Sequence, residues 1–150
     1  MSTDSMSERL QALEDERAIL ETLYQYGHAM DYGPDADFVD CFTPDGLWDV
    51  RMRKLPDGSF QCKGHGEIQA SLAGQTAVRA PALYAKHFVM DPRMVVTGDE
   101  AYVQSYFLRV EPRDAAPTQI VASGRYVDHL VRCDDGRWRF TERIAEIDDM

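Results

Sequence analysis

Two residues of this chain have the types and the placement to move a proton, Asp31 and His87. Asp31 closes a run from Glu8 that has no proline and a single glycine, with apolar residues at helical spacing. At 100° per residue Leu13, Leu20, Tyr24, Gly27 and Asp31 fall within about 60° of one another, so an apolar stripe ends in a carboxylate. An acid on a buried helix face is costly unless something pairs with it. Either Asp31 caps the next turn or turns outward as the helix frays, or it faces a pocket and meets a cation or a histidine. His87 lies in "YAKHFVMDPRMVV", a strand-like segment. Alternation puts Ala85, His87 and Val89 on one face and Lys86, Phe88 and Met90 on the other. Such a histidine is either a hydrogen-bonded core residue or a base in a cavity. His28 falls at the edge of the helix stripe, His65 in a loop, and His129 on the strand face opposite Tyr126 and Asp128.

An aspartate–histidine pair has a definite chemistry. The carboxylate accepts from one ring nitrogen and sets the tautomer, and the other nitrogen is left as a base. No serine or cysteine stands in a nucleophile-elbow context, so the pair points to proton abstraction from carbon or water. Asp31 and His87 would supply two metal ligands with no third at a recognised spacing, so no metal is expected. Tyr24, Tyr106, Tyr126 and Arg143 are the candidates to contact a substrate. A tyrosine beside an apolar pocket can polarise an oxygen, or simply fill the core. Arg143 has the parity of Arg139 and Thr141, opposite Trp138 and Phe140, and could equally bridge surface carboxylates.

These side chains need elements to hold them. Residues 1–7 read as a loose tail and 8–150 as one domain. The first helix spans Glu8 to about Asp31; Gly33-Pro34 ends it, and Pro34 or Asp35 opens a short second helix through Phe42. Pro44-Asp45-Gly46 reads as a turn, and Gly46–Leu55 as a strand. Pro56–Gly58 is a hairpin turn into a return strand, "SFQCKG", and "GHGEIQASLAGQTAV" is a helix. After a break at Pro81 come strands over Leu83–Val96, Ala101–Glu111, Thr118–Arg132 and Arg137–Ile147. This order predicts an α+β fold: a curved, mostly antiparallel sheet wrapped like a cone around about three helices, leaving a hydrophobic pocket.

The bulk properties narrow the function. With 150 residues, 44% of them apolar, the chain can bury a core. A net charge of -10 disfavours nucleic acids and anionic membranes, and "VRMRKL" and "RWRFTER" alternate their charges with apolar residues. Three dispersed cysteines without a CxxC, no apolar leader and no run long enough to span a bilayer predict a cytoplasmic protein.

The helix "LEDERAILETLYQYGHAMDYGPDADFVDCFTPDGLWDV", the "KHFVMDPRMVV" strand and "ASGRYVDHLVRCDDGRWRFTERIAEID" resemble the SnoaL-like branch of the nuclear transport factor 2-like superfamily. The resemblance runs from about Glu8 to Asp148 and implies an α+β barrel, a cone of strands closed by three helices around a pocket. Within the superfamily, scytalone dehydratase and hexachlorocyclohexane dehydrochlorinase use an aspartate and a histidine at positions that match Asp31 and His87. Both carry out eliminations without a cofactor. Met30 and Val50 stand where the dehydratase has tyrosines, and Tyr106 where it has a second histidine, which argues against scytalone itself. Arg143 resembles a pocket arginine of the dehydrochlorinase. The expectation is a lyase or isomerase acting on a small apolar cyclic or aromatic compound. The alternative is a non-catalytic binding or assembly domain, like the small subunit of ring-hydroxylating dioxygenases. Apolar residues on the outer sheet face predict a homo-oligomer, dimer or trimer.

Overall fold

A computed structural model describes residues 5–76, 79 and 83–149. Residues 1–4 of the expected tail, the last residues of the expected third helix at 77–78, and the Pro81 break lie outside them. Helix α1 (Met6–Tyr32) starts earlier than its apolar pattern suggests. The Glu8 N–H donates to the Ser5 hydroxyl at 3.2 Å, and the Ser5 N–H donates to the Glu8 carboxylate at 2.6 Å. This capping box makes residues 5–7 the start of the helix rather than a tail. The helix stops at Gly33, whose φ of +68° suits a residue without a side chain.

The buried face of α1 is also rotated from the expected stripe. Ile19, Leu23, Tyr26 and Met30 are buried, while Leu13 is 64% exposed and Tyr24 is 39% exposed. Polar residues on the true face masked it. Asp15 is buried because Arg132 grips both its oxygens, and the Thr22 hydroxyl donates to the Trp138 carbonyl. Asp31 therefore sits about 100° round from Met30, at the flank of the buried face.

Helix α2 (Asp35–Val39) follows and places Phe38 in the core. Strand β1 (Phe42–Met52) includes Pro44-Asp45-Gly46, which forms an irregularity inside the strand and not a turn before it. A 3-10 turn at Pro56–Gly58 leads to β2 (Phe60–Lys63), then α3 (Gly64–Gly74) buries Ile68 and Leu72. The remaining strands are β3 (Lys86–Thr97), β4 (Glu100–Arg113), β5 (Ala116–Arg132) and β6 (Trp138–Asp149).

The six strands form one sheet in the order β2-β1-β6-β5-β4-β3. Neighbours run antiparallel except β1 and β6, which are parallel, so the sheet is mixed. It curls around the helices as an open cone with edges at β2 and β3, and does not close into a barrel. Register shifts between β1 and β6, β3 and β4, β4 and β5, and β5 and β6 supply the bends. At one of them, Gly124, a Cβ would lie 1.9 Å from the Glu146 carbonyl oxygen, so β5 and β6 approach closely only because that side chain is missing.

Two outcomes follow from this packing. Gly124→Ala lowers stability by about 2 to 3 kcal/mol, measured by denaturant unfolding. The Arg132 guanidinium holds the Asp15 carboxyl below its ordinary value of 3.8. A depressed folded value stabilises above the unfolded value and is lost as pH falls through the folded one. Asp15→Asn costs about 1 kcal/mol near neutral pH and flattens the decline in thermal stability below about pH 4.

Candidate active site

The last turn of α1 and the first residues of β3 meet at the mouth of the cone. Asp31 Oδ1 lies 2.5 Å from His87 Nδ1, and Asp31 Oδ2 accepts from the His87 backbone N–H at 2.6 Å. One carboxylate thus holds both the ring and the strand that carries it. Their side chains are 7% and 17% exposed. A carboxylate only accepts, so Nδ1 carries the proton and Nε2 is the basic nitrogen of the neutral ring. Nε2 has no hydrogen-bond partner among the described residues.

An acid in the last turn of a helix opposes the helix dipole. Arg79 offsets this. Its guanidinium donates to the carbonyls of Ala29 and Met30 at the end of α1 and of Leu72 in α3, and to the Asp35 carboxylate at 2.9 Å.

Two cavities share His87 as part of their walls. The larger, about 540 Å³, fills the cone. Trp48, Val50, Phe60, Phe107, Ala145 and Ile147 make it largely apolar, and His87, Arg79, Arg109 and Gln75 add polar groups. The smaller, about 350 Å³, opens between α1 and β3 and is lined by Tyr24, His28, Tyr32, Lys86 and Phe88. Tyr26, His87 and Tyr126 line both. Among the described residues, no three His, Cys, Asp or Glu side chains gather as a metal site.

The expected substrate contacts separate in space. Tyr126 is buried in the shared wall, and Tyr24 borders the smaller cavity only. Tyr106 is a correction: it is 58% exposed and lines neither cavity. On β4 the inward series is Ala101, Val103, Ser105 and Phe107, so Tyr102 and Tyr106 point out. Arg143 is a second correction. It is fully buried and lines neither cavity. Its Nε and Nη2 donate to the two Asp128 oxygens at 2.7 Å each. The guanidinium carbon lies 4.1, 4.0 and 4.2 Å from the ring centres of Tyr26, Tyr126 and Phe140. The strand alternation failed because His129 pairs with Glu142 but Leu130 pairs with Phe140. Thr141 is thus an extra residue that flips Arg143 inward.

Tyr26, Trp48, Arg79 and Arg109 were missed from sequence. Tyr26 was legible in principle, because Ile19, Leu23, Tyr26 and Met30 repeat at steps of three and four. Burial pushes the Tyr26 hydroxyl up to about 12 and lifts Tyr126 well above its ordinary value, so both stay protonated donors. The Arg143 charge opposes burial at both. Burial also pushes the Cys41 thiol up to about 12, which makes it inert.

Known proteins share this arrangement of elements. A family model, the SnoaL-like domain, matches residues 11–144. The chain belongs to the SnoaL-like family. Three solved structures from Novosphingobium aromaticivorans illustrate the shared fold of this SnoaL-like protein. An NTF2-like protein with a cystatin-like fold is 23% identical, with a TM-score of 0.80, covering 97% of this chain and 92% of that one. A chain provisionally assigned as the β subunit of an aromatic-ring-hydroxylating dioxygenase is 20% identical, with a TM-score of 0.76 and coverage of 93% and 92%. A protein provisionally assigned as a scytalone dehydratase is 22% identical, with a TM-score of 0.70 and coverage of 91% and 85%. No curated protein matches the chain.

The buried ion pair makes a sharp prediction for this SnoaL-like domain. Asp128→Ala, which strands a dehydrated guanidinium, costs about 3 to 5 kcal/mol in chemical denaturation. Replacing the pair together, Arg143→Met with Asp128→Leu, restores much of that loss.

Proposed function

We propose that this SnoaL-like protein is a cofactor-free lyase or isomerase that removes a proton from carbon in a small, largely apolar cyclic or aromatic compound. His87 is the base and Asp31 orients it. The observation that carries this reading is the pair of hydrogen bonds that Asp31 accepts from the ring and backbone of His87, beside an apolar cavity large enough for a bicyclic molecule. The substrate carbon delivers its proton to Nε2. The C–H electron pair becomes a double bond as a hydroxyl or halide departs with its own pair, or flows into an adjacent carbonyl. Such a step asks for a base, its orienting carboxylate and hydrogen-bond donors. Tyr126 is the donor in the shared wall, and Tyr24 borders the approach through the smaller cavity. Arg143 acts at one remove, through the rings of Tyr26 and Tyr126. The three free thiols suit a reducing, cytoplasmic setting.

A second reading is a binding or assembly domain. Phe88, Val95, Tyr106 and Ile120 leave an apolar outer face. This favours a homo-oligomer, and the fold is shared with a chain provisionally assigned as a dioxygenase β subunit. A filled outer face and a working pocket are compatible, so oligomer formation alone does not displace the enzyme.

Hydrogen–deuterium exchange at C1 of 2-tetralone, followed by NMR in deuterium oxide, tests the base. The native protein accelerates exchange. His87→Ala lowers the rate by about 10² to 10⁴, and Asp31→Asn by a smaller factor. Full activity in either variant would refute the dyad.

A further inference from the structure

The hydroxyl of Tyr26 has a role not assigned above. Its Oη accepts a hydrogen bond from Trp48 Nε1 at 3.1 Å. An indole N–H donates only, so the phenol's own hydrogen is directed elsewhere. None of the described residues accepts it. Tyr26 is 3% exposed, and a buried donor without an acceptor is costly. The side chain cannot swing away to find one. Its ring packs 4.7 Å from Phe38 and lies over the Arg143 guanidinium at 4.1 Å. It also lines both cavities with His87. The acceptor that completes this hydroxyl therefore belongs inside the cavity.

We propose that Tyr26, aimed by Trp48, donates a hydrogen bond to an oxygen of the bound compound, so that the site selects a ring bearing a carbonyl or hydroxyl over a hydrocarbon or halogenated ring of the same shape. This rests on the reading that the substrate occupies the cavity beside His87, and it narrows the substrate class to oxygenated rings. The chemistry fits the elements present. A carbonyl oxygen offers two lone pairs, whereas a carbon-bound halogen is a poor acceptor. A donor held in place before the ligand arrives loses little freedom when it binds. Arg143 beneath the ring draws electron density from the phenol and strengthens its O–H as a donor. Trp48 is a positioning residue: it occupies the acceptor side of the hydroxyl and leaves the hydrogen facing the cavity.

Isothermal titration with 2-tetralone and with tetralin, the same bicyclic frame without the oxygen, tests this directly. The native protein binds 2-tetralone about 10-fold more tightly than tetralin. Tyr26→Phe abolishes the difference while tetralin affinity stays the same, and Trp48→Phe weakens it. The carbonyl resonance of ¹³C-labelled 2-tetralone moves downfield on binding the native protein and does not on binding Tyr26→Phe. A native protein that binds the two equally, that fails to bind 2-tetralone, or that leaves the carbonyl resonance unmoved overturns the proposal. So does an undiminished preference in either variant. Exchange at C1 reads His87 instead. A Tyr26-dependent preference without exchange sinks the base and leaves the donor, and exchange without that preference does the reverse.

Discussion

The interaction that most constrains this molecule is the burial of one guanidinium. Arg143 is wholly removed from water, and an ion so placed is tolerable only with a counter-charge and close polarisable neighbours. Asp128 supplies the first through two hydrogen bonds of equal length. Burial pushes the Asp128 carboxyl up, and the Arg143 guanidinium at both its oxygens opposes that shift. Tyr26, Tyr126 and Phe140 supply the second as a cage of ring faces. The demands of the ion thereby fix two tyrosines that both cavities share with His87. A charge that lines neither cavity decides where their shared wall stands.

A second constraint acts at the end of α1. Gly33 lets the helix stop, Asp31 projects from its flank, and Arg79 donates to the Ala29 and Met30 carbonyls of the last turn. The same arginine reaches α2 through Asp35 and α3 through Leu72. Three helices are thus joined at one point, next to the strand that holds His87. The rigidity of this corner sets the direction of the imidazole more firmly than strand geometry alone, because β3 is an edge strand with one sheet neighbour.

Much of this was legible in the amino-acid sequence, for identifiable reasons. Period-two alternation put His87, Ala85 and Val89 together, and a long run free of proline placed Asp31 at a helix end. Turn residues separated the strands nearly where they occur. What was not legible depended on single residues that reset a period. The extra Thr141 turned Arg143 inward, and an irregularity at Pro44-Asp45-Gly46 extended β1 backwards through a stretch that reads as a turn. Alternation also separates two faces without saying which is inside, so Tyr106 was grouped with the pocket when it lies in solvent. On α1, Asp15 and Thr22 disguised the buried face because their partners, Arg132 and the Trp138 carbonyl, are more than a hundred positions away. The Ser5–Glu8 capping box is a local signal, and its serine and glutamate spacing is present in the sequence.

The bond from the His87 backbone to Asp31 has a consequence of another kind. An edge strand offers unpaired amides to any passing chain, and such edges nucleate sheet-to-sheet aggregation unless something blunts them. At His87 the amide that would recruit a foreign strand is already occupied by a carboxylate carrying a negative charge. The residue that aims the imidazole is also a guard on the rim of the sheet. Replacing it exposes a sticky edge at the same moment as it loosens the ring, so one side chain serves both the protection of the sheet edge and the placement of the imidazole.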